Sequence, residues 1–245
     1  MMRALWPIVK REFSAYFATP IAYVFVVIFA ALAGVFTFHI GNFYERGIAD
    51  LIPFFQYLPW LFLVLAPAIS MRLWAEERRS GTIELLMTLP VTIWEAVLGK
   101  WLAGWLFMGL ALMATFTLWI TVNWLGEPDN GVIAVSYLGA WATAGVLLAM
   151  GAAVSALTRN QVIAFILAAL VIFVFMTAGT PVVLDAVRAV LPEPVVAAVS
   201  SLSVLAHFAS VSRGVVLLSD VVYWVTMTAF WLFANAVIVN LKKAD

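Results

Sequence analysis

Met71-Arg-Leu-Trp-Ala-Glu-Glu-Arg-Arg-Ser-Gly-Thr-Ile-Glu-Leu-Leu-Met-Thr-Leu-Pro90 is a charged segment set between two long apolar runs. Of the chain's 13 basic and 13 acidic residues, Arg72, Glu76, Glu77, Arg78, Arg79 and Glu84 fall within it, while the flanking runs carry almost none. Charges gathered between two hydrocarbon-compatible stretches belong in water or against a polar partner, because charges in hydrocarbon are costly. The segment therefore reads as a connection between two membrane spans, and the rest of the chain is laid out from it.

Apolar residues make up 65% of the 245 and charged residues 11%, against roughly 25% charged in soluble domains. That balance defines an integral membrane protein. A hydrocarbon core about 30 Å thick needs about 20 helical residues at 1.5 Å each, and several uncharged runs reach that length. The short polar-apolar alternation of a transmembrane β-barrel is absent. With no cysteine, the chain has no structural disulfide, thiolate metal site or cysteine nucleophile. The start has Arg3, Lys10 and Arg11 among aromatics and no small-residue cleavage site after a short apolar core, so no cleaved signal peptide is expected.

Leu5, Val9, Phe13 and Phe17 recur every four residues, which suits an interfacial helix over 1–19, the other reading being a basic flank to the first span. Thr19-Pro20 caps a first span over 21–40. A second span over 51–71 holds Pro53, Pro59 and Pro67, tolerable where neighbours satisfy the freed carbonyls. The charged region occupies 72–95, and its last residues, Thr92-Ile-Trp-Glu95, have capping-box spacing before an apolar run. A third span over 96–124 follows, with Lys100 near enough to its end to snorkel. Gly126-Glu-Pro-Asp-Asn-Gly131 is a turn by composition. A fourth span (134–157) and a fifth (162–180) are separated only by Thr158-Arg-Asn-Gln161, as in a tight hairpin. Around Asp185 and Arg188 the chain is amphipathic rather than spanning, residues 195–212, serine-rich and without formal charge, could be interfacial, re-entrant or a weak crossing, and a last span covers 217–240.

Six crossings put both termini on one side. Arg3, Lys10, Arg11, Arg72, Arg78, Arg79, Lys100, Arg159, Lys242 and Lys243 then lie inside, against Arg46, Arg188 and Arg213 outside, as the positive-inside rule requires. A seventh crossing at 195–212 would move Lys242 and Lys243 outside, so six are kept. The expected fold is an all-α membrane protein in one domain (1–245), N-in/C-in. Small residues at Ala30, Ala31, Ala33 and Gly34, and at Gly145, Ala149, Gly151, Ala152 and Ala153, allow close helix approach.

No Gly-x-x-x-x-Gly-Lys-Ser/Thr loop occurs, so ATP hydrolysis by that mechanism is expected only in another subunit. Serine-hydrolase and zinc-protease motifs are also missing, and no catalytic pair of His, Asp, Glu or Ser falls at helical spacing within a span. No charge sits mid-span apart from Asp220, near an end, which argues against a proton-coupled pump. His39 and His207 could meet over a metal with Glu45 or Asp50, although isolated histidines more often hydrogen-bond locally. No metal or cofactor is expected in the chain itself. Within the charged segment, Ser80-Gly81 precedes a short amphipathic piece, Thr82-Ile-Glu-Leu-Leu-Met87, stopped by Pro90. A short helix presenting Leu85 and Leu86 outside the membrane suits a groove on a partner.

Glu76-Glu77-Arg78, Gly81-Thr82, Glu84, Leu85-Leu86, Pro90 and Gly99-Lys100 together resemble the ABC-2 family of ABC-transporter permeases, and the six-span layout extends the resemblance over essentially the whole chain. His207-Phe208…Ser212-Arg213-Gly214-Val215…Asp220…Tyr223 resembles the gliding-motility-associated (Gld-type) branch. The resemblance implies a half-transporter of the bacterial cytoplasmic (inner) membrane. A second permease chain, the same or different, would pair with it, and two cytosolic ATPase subunits holding ATP and Mg would bind below. Glu76, Glu77, Arg78, Gly81, Thr82, Glu84, Leu85 and Leu86 would form the ATPase contact, a coupling helix flanked by the N-terminal helix, and residues 181–212, between spans 5 and 6, would form short outer-leaflet helices. The implied activity is export of an amphipathic or lipid-linked substrate among membrane lipids, with room for a periplasmic accessory protein and no nucleic acid. The alternative is a membrane anchor for an ATP-driven periplasmic or motility assembly that moves no solute.

Overall fold

In hydrocarbon a helix satisfies every backbone donor and acceptor within its own segment, and the apolar runs fold accordingly. The computed structural model describes residues 4–82 and 91–242, and among these the regular structure is entirely helical. α1 (Leu5–Phe17) leads into α2 (Pro20–Val35), extended by a π-helical turn at Phe36–Ile40, and then into the short α3 (Phe43–Arg46). α4 (Ile52–Ser70) and α5 (Ala75–Ser80) precede the charged segment's end. α6 (Ile93–Ala114), α7 (Phe116–Leu125), α8 (Asn130–Ser155) and α9 (Gln161–Thr177) follow. Three short helices, α10 (Pro181–Arg188), α11 (Glu193–Ser201) and α12 (Val204–Val211), come before α13 (Leu218–Leu241).

Five stretches are long and apolar enough to cross a bilayer: α2 with its π turn, α4 running on into α5, α6 with α7, α8, and α13. α9 reaches that standard together with α10, from which it turns by 80°, and α11 with α12 forms a second bent pair at 58°. The range of five to seven crossings contains the expected six. Thr92 and Glu95 form the expected capping box, the carboxylate accepting from the Thr92 N–H at 2.9 Å and the Thr92 hydroxyl from the Glu95 N–H at 3.2 Å. The third span is longer than expected and broken at Thr115, whose hydroxyl bonds back to the Leu112 carbonyl at 2.6 Å and competes with the regular ladder.

α8 is the hub. It packs on α4, α6, α9, α12 and α13, and every residue from Thr143 to Ser155 is buried. Relative directions follow from its contacts. Tyr137 lies against Phe54 and Phe55, and Gly151 against Ser70, so α4 and α8 run parallel. The Trp101 indole donates to the Gly145 carbonyl at 2.9 Å and the Trp105 indole to the Trp141 carbonyl at 2.7 Å, which sets α6 antiparallel to both. Lys242 donates to the Leu157 carbonyl at 2.8 Å while Trp224 sits at Gly139, so α13 is parallel to α8. Residues 72–82, the start of α6 and the ends of α8 and α13 therefore gather at one end of the bundle. Asp50, Asp129, α12 and the start of α13 lie at the other.

α1 falls where the interfacial helix is expected, but it lies lengthwise along α6. Gly99 leaves room for Ile8, since a Cβ there would come within 2.6 Å of the Ile8 side chain, and Tyr16 stacks on Phe107 at 4.7 Å. Ile8 and Val9 are its buried residues, and of the stripe the four-residue spacing suggests, Val9 is buried while Phe13 and Phe17 pack partly buried against the core.

Candidate functional site

Six residues are too few for a stable isolated helix, so α5 needs outside support. Its acidic first turn, Glu76 and Glu77, and basic last turn, Arg78 and Arg79, complement the helix dipole. Gly81, at φ +72°, ends it in the left-handed conformation.

The first support is a cap supplied from another helix. The Ser155 hydroxyl, at the end of α8, accepts from the Trp74 and Ala75 N–H groups at 3.3 and 3.2 Å and donates to the Met71 carbonyl at 3.2 Å. Trp74 has no capping side chain of its own, so α8 fills that role. A second tie runs from the Arg78 guanidinium to the Ala156 carbonyl, 2.7 Å away, at the negative end of α8.

The third is ionic. The Lys100 ammonium lies 2.7 Å from Glu77 of α5 and 3.2 Å from Glu12 of α1, and 5.4 Å from the centre of the Trp74 ring. Lys100 is 2% exposed. The snorkelling expected for it is thus corrected: α1 and α5 close over the side chain and supply two carboxylates, so its charge is neutralised inside the protein. Nearby, Arg72 pairs with Glu76 at 2.9 Å and reaches the Thr19 hydroxyl at 3.4 Å, and Arg11 pairs with Glu12 at 2.8 Å. One lysine of α6 thereby joins α1, α5 and its own span.

Burial alone would push the Glu12 carboxyl up, but Lys100 and Arg11, by charge and by hydrogen bonding, more than offset this and hold it below the ordinary value of 4.5. A depressed carboxyl contributes stability that is present above its unfolded value and lost as pH falls through the folded one. Thermal stability is accordingly expected to be flat from neutral pH to about 5.5, and to fall below pH 4.5 by a smaller amount in Glu12→Gln than in the natural sequence. A Glu12→Gln profile of unchanged depth would remove Glu12 from the node.

Of the residues expected to meet a partner, Glu77 and Arg78 are engaged with this chain's own bundle. Glu76 is partly open, and Gly81 and Thr82 are exposed. Glu84, Leu85 and Leu86 lie outside the described residues. Sequence reasoning missed Glu12 and Ser155; an acidic residue on the inner face of α1 was the only available signal. His207 is committed to Asp220 and the Ser201 carbonyl, and His39 is exposed at the end of the π turn. Among the described residues no three acidic or histidine side chains gather as a metal site.

The arrangement defines a polytopic helical membrane protein in which a charged segment at the end of one membrane-length stretch is fastened to the ends of two others. The chain matches the family model described as ABC-2 family transporter protein over residues 6–239. It belongs to that family, and is a permease-type membrane subunit of an ABC transporter, a kind of subunit that works with an ABC ATPase. A search of curated proteins finds no match to this chain.

Proposed function

We propose that this chain exports an amphipathic or lipid-linked substrate across a bacterial cytoplasmic membrane, driven by ATP and Mg held in a separate cytosolic ATPase. Two permease chains would pair above two ATPase subunits, each receiving the segment around α5 from below. The observation that carries the reading is the fastening of α5. A helix at the end of one membrane-length stretch but tied to α1, α6 and α8 cannot be displaced without pulling on them. The cytosolic side is assigned by the clustering of basic residues at that end. Support for an amphipathic cargo is the scarcity of charge in the spans: Glu95 and Lys100 lie near one end and Asp220 near the other, leaving no ladder for an ion. Membership of the gliding-motility-associated branch belongs to the same proposal and rests on the motif from His207 to Tyr223.

In this reading Glu76, Gly81 and Thr82, with Glu84, Leu85 and Leu86 beyond them, face the ATPase, while Glu77 and Arg78 hold the helix from behind. Proline cannot adopt the positive φ of Gly81. Gly81→Pro is therefore expected to leave the spans folded and to weaken coupling between ATP hydrolysis and transport by roughly 5- to 150-fold, the range of about 1–3 kcal/mol for coupled sites. The check is ATPase and transport activity in nanodiscs, using protein purified with its native cytosolic subunits. Undiminished coupling in Gly81→Pro would place the contact elsewhere, and an ATPase partner with no transported cargo would favour the anchor.

A further inference from the structure

The motif from His207 to Tyr223 takes no part in the node around Lys100, yet its polar members converge at the opposite end of the bundle. Gly214, at φ +77°, reverses the chain between α12 and α13 and lays His207 beside the first turn of α13. Asp220 is 2% exposed, with Oδ1 2.8 Å from His207 Nδ1. Its Oδ2 accepts from the Ser210 hydroxyl at 2.7 Å and from the Leu217 N–H at 3.1 Å. His207 Nε2 lies 3.1 Å from the Ser201 carbonyl, at the end of α11. The imidazole stacks on Tyr223 at 4.1 Å, and the Tyr223 hydroxyl donates to the Leu202 carbonyl at 2.9 Å. One side chain thus bridges α11, α12 and α13.

A neutral imidazole has one N–H and an imidazolium two. Both nitrogens of His207 face acceptors, so only the doubly protonated ring donates to both. On losing a proton the ring must abandon either Asp220 or Ser201. Among the described residues, the other charge in the α12–α13 connection is Arg213, which lines a separate cavity with Asp50 and Asp129. α13 contributes Asp220 and Tyr223, and Glu193, the charged residue of α11, is at its far end, 3.8 Å from Arg188. α8 and α9 also pack on α12, but α9 has no titratable residue and Tyr137 of α8 bonds to Thr115 instead. The two attachments differ in strength. α12 is also held by Ser136, whose hydroxyl donates to the Val211 carbonyl at 2.9 Å, and by Ser203, which donates to the Met176 carbonyl at 3.1 Å. α11 buries only Val196 and is otherwise held to α13 at its very end, by the Tyr223–Leu202 bond, so it is the element able to swing about that point.

We infer that His207 is a proton-operated latch: with both protons it ties α11 to the head of α13, and with one it lets α11 swing. Histidine is the side chain whose charge ordinarily changes between pH 5 and 8. The absence of cysteine makes a direct test available. Cysteines introduced at Ala198 and Leu218, both exposed, carry nitroxide labels, and pulsed electron paramagnetic resonance in nanodiscs reads their separation at pH 5.5 and 8.0. A single separation is expected at pH 5.5, with a second, longer one present only at pH 8.0. His207→Gln should show one distribution at both pH values. Asp220→Asn, which keeps shape and removes the anion, should lose the response as well. Identical distributions at both pH values with His207 in place, or an undiminished response in either variant, would overturn the latch.

Discussion

Lys100→Met is expected to lower stability by about 1–3 kcal/mol, because it leaves the half-buried Glu12 and Glu77 close together without the buried cation that both face. The loss would appear as a drop in thermal midpoint and in recovered protein. Stability and transmission can be separated at this node. Buried ionic clusters replaced wholesale by packed apolar residues commonly recover their stability. The triple change Lys100→Met, Glu12→Leu and Glu77→Leu should thus regain much of the midpoint. If the charges fix the position of α5, coupling of ATP hydrolysis to transport stays impaired in the triple variant despite its restored midpoint. A triple variant that couples normally would show that packing alone carries the motion.

The second large effect is steric. A Cβ on Gly151 would run into the Ser70 hydroxyl oxygen and stand 2.8 Å from the Ser70 Cβ. The hydroxyl can rotate away, but Cβ cannot. Gly151→Ala must push α4 off α8, at about 1–3 kcal/mol for overpacking of this kind. The damage should reach α5, since Met71 and Trp74 begin the same turn that Ser155 caps, one helical turn beyond Gly151. Ser70→Gly removes the obstructing atoms, and the next neighbour of the new methyl is Ala168 at 3.8 Å. Thermal midpoints of the two single variants and the pair measure this directly. Gly151→Ala should fall and the pair should recover; a pair no better than Gly151→Ala would mean the clash is relieved elsewhere.

Much of the fold was legible because hydrocarbon imposes local rules. The positions of α2, α4, α8, α9 and α13 follow from run length and charge, and the Thr92–Glu95 box from four residues of sequence. The family was legible through short motifs in and after the charged segment, and the match over 6–239 bears that out. The joints between helices were not legible. Glu77 and Lys100 stand 23 residues apart and Trp74 and Ser155 81, so each pairing depends on which helices meet in space. Lys100 read as an end-of-span lysine because nothing local announces that α1 will fold down over it. His207 and Asp220 were missed as a pair for the same reason, since they belong to different helices and share no helical period. The broken third span depends on one threonine bonding backward, a choice its neighbours in space decide.

The borrowed cap on α5 has a consequence for biosynthesis. The first turn of α5 is completed by a hydroxyl from a residue made about 80 positions later, and six residues do not hold a helix unaided. During synthesis α5 therefore stays unfinished until α8 has been inserted and packed. Under the proposed function, a chain stalled before that point would offer no formed helix to an ATPase, and docking at α5 would also report that the membrane bundle has been assembled.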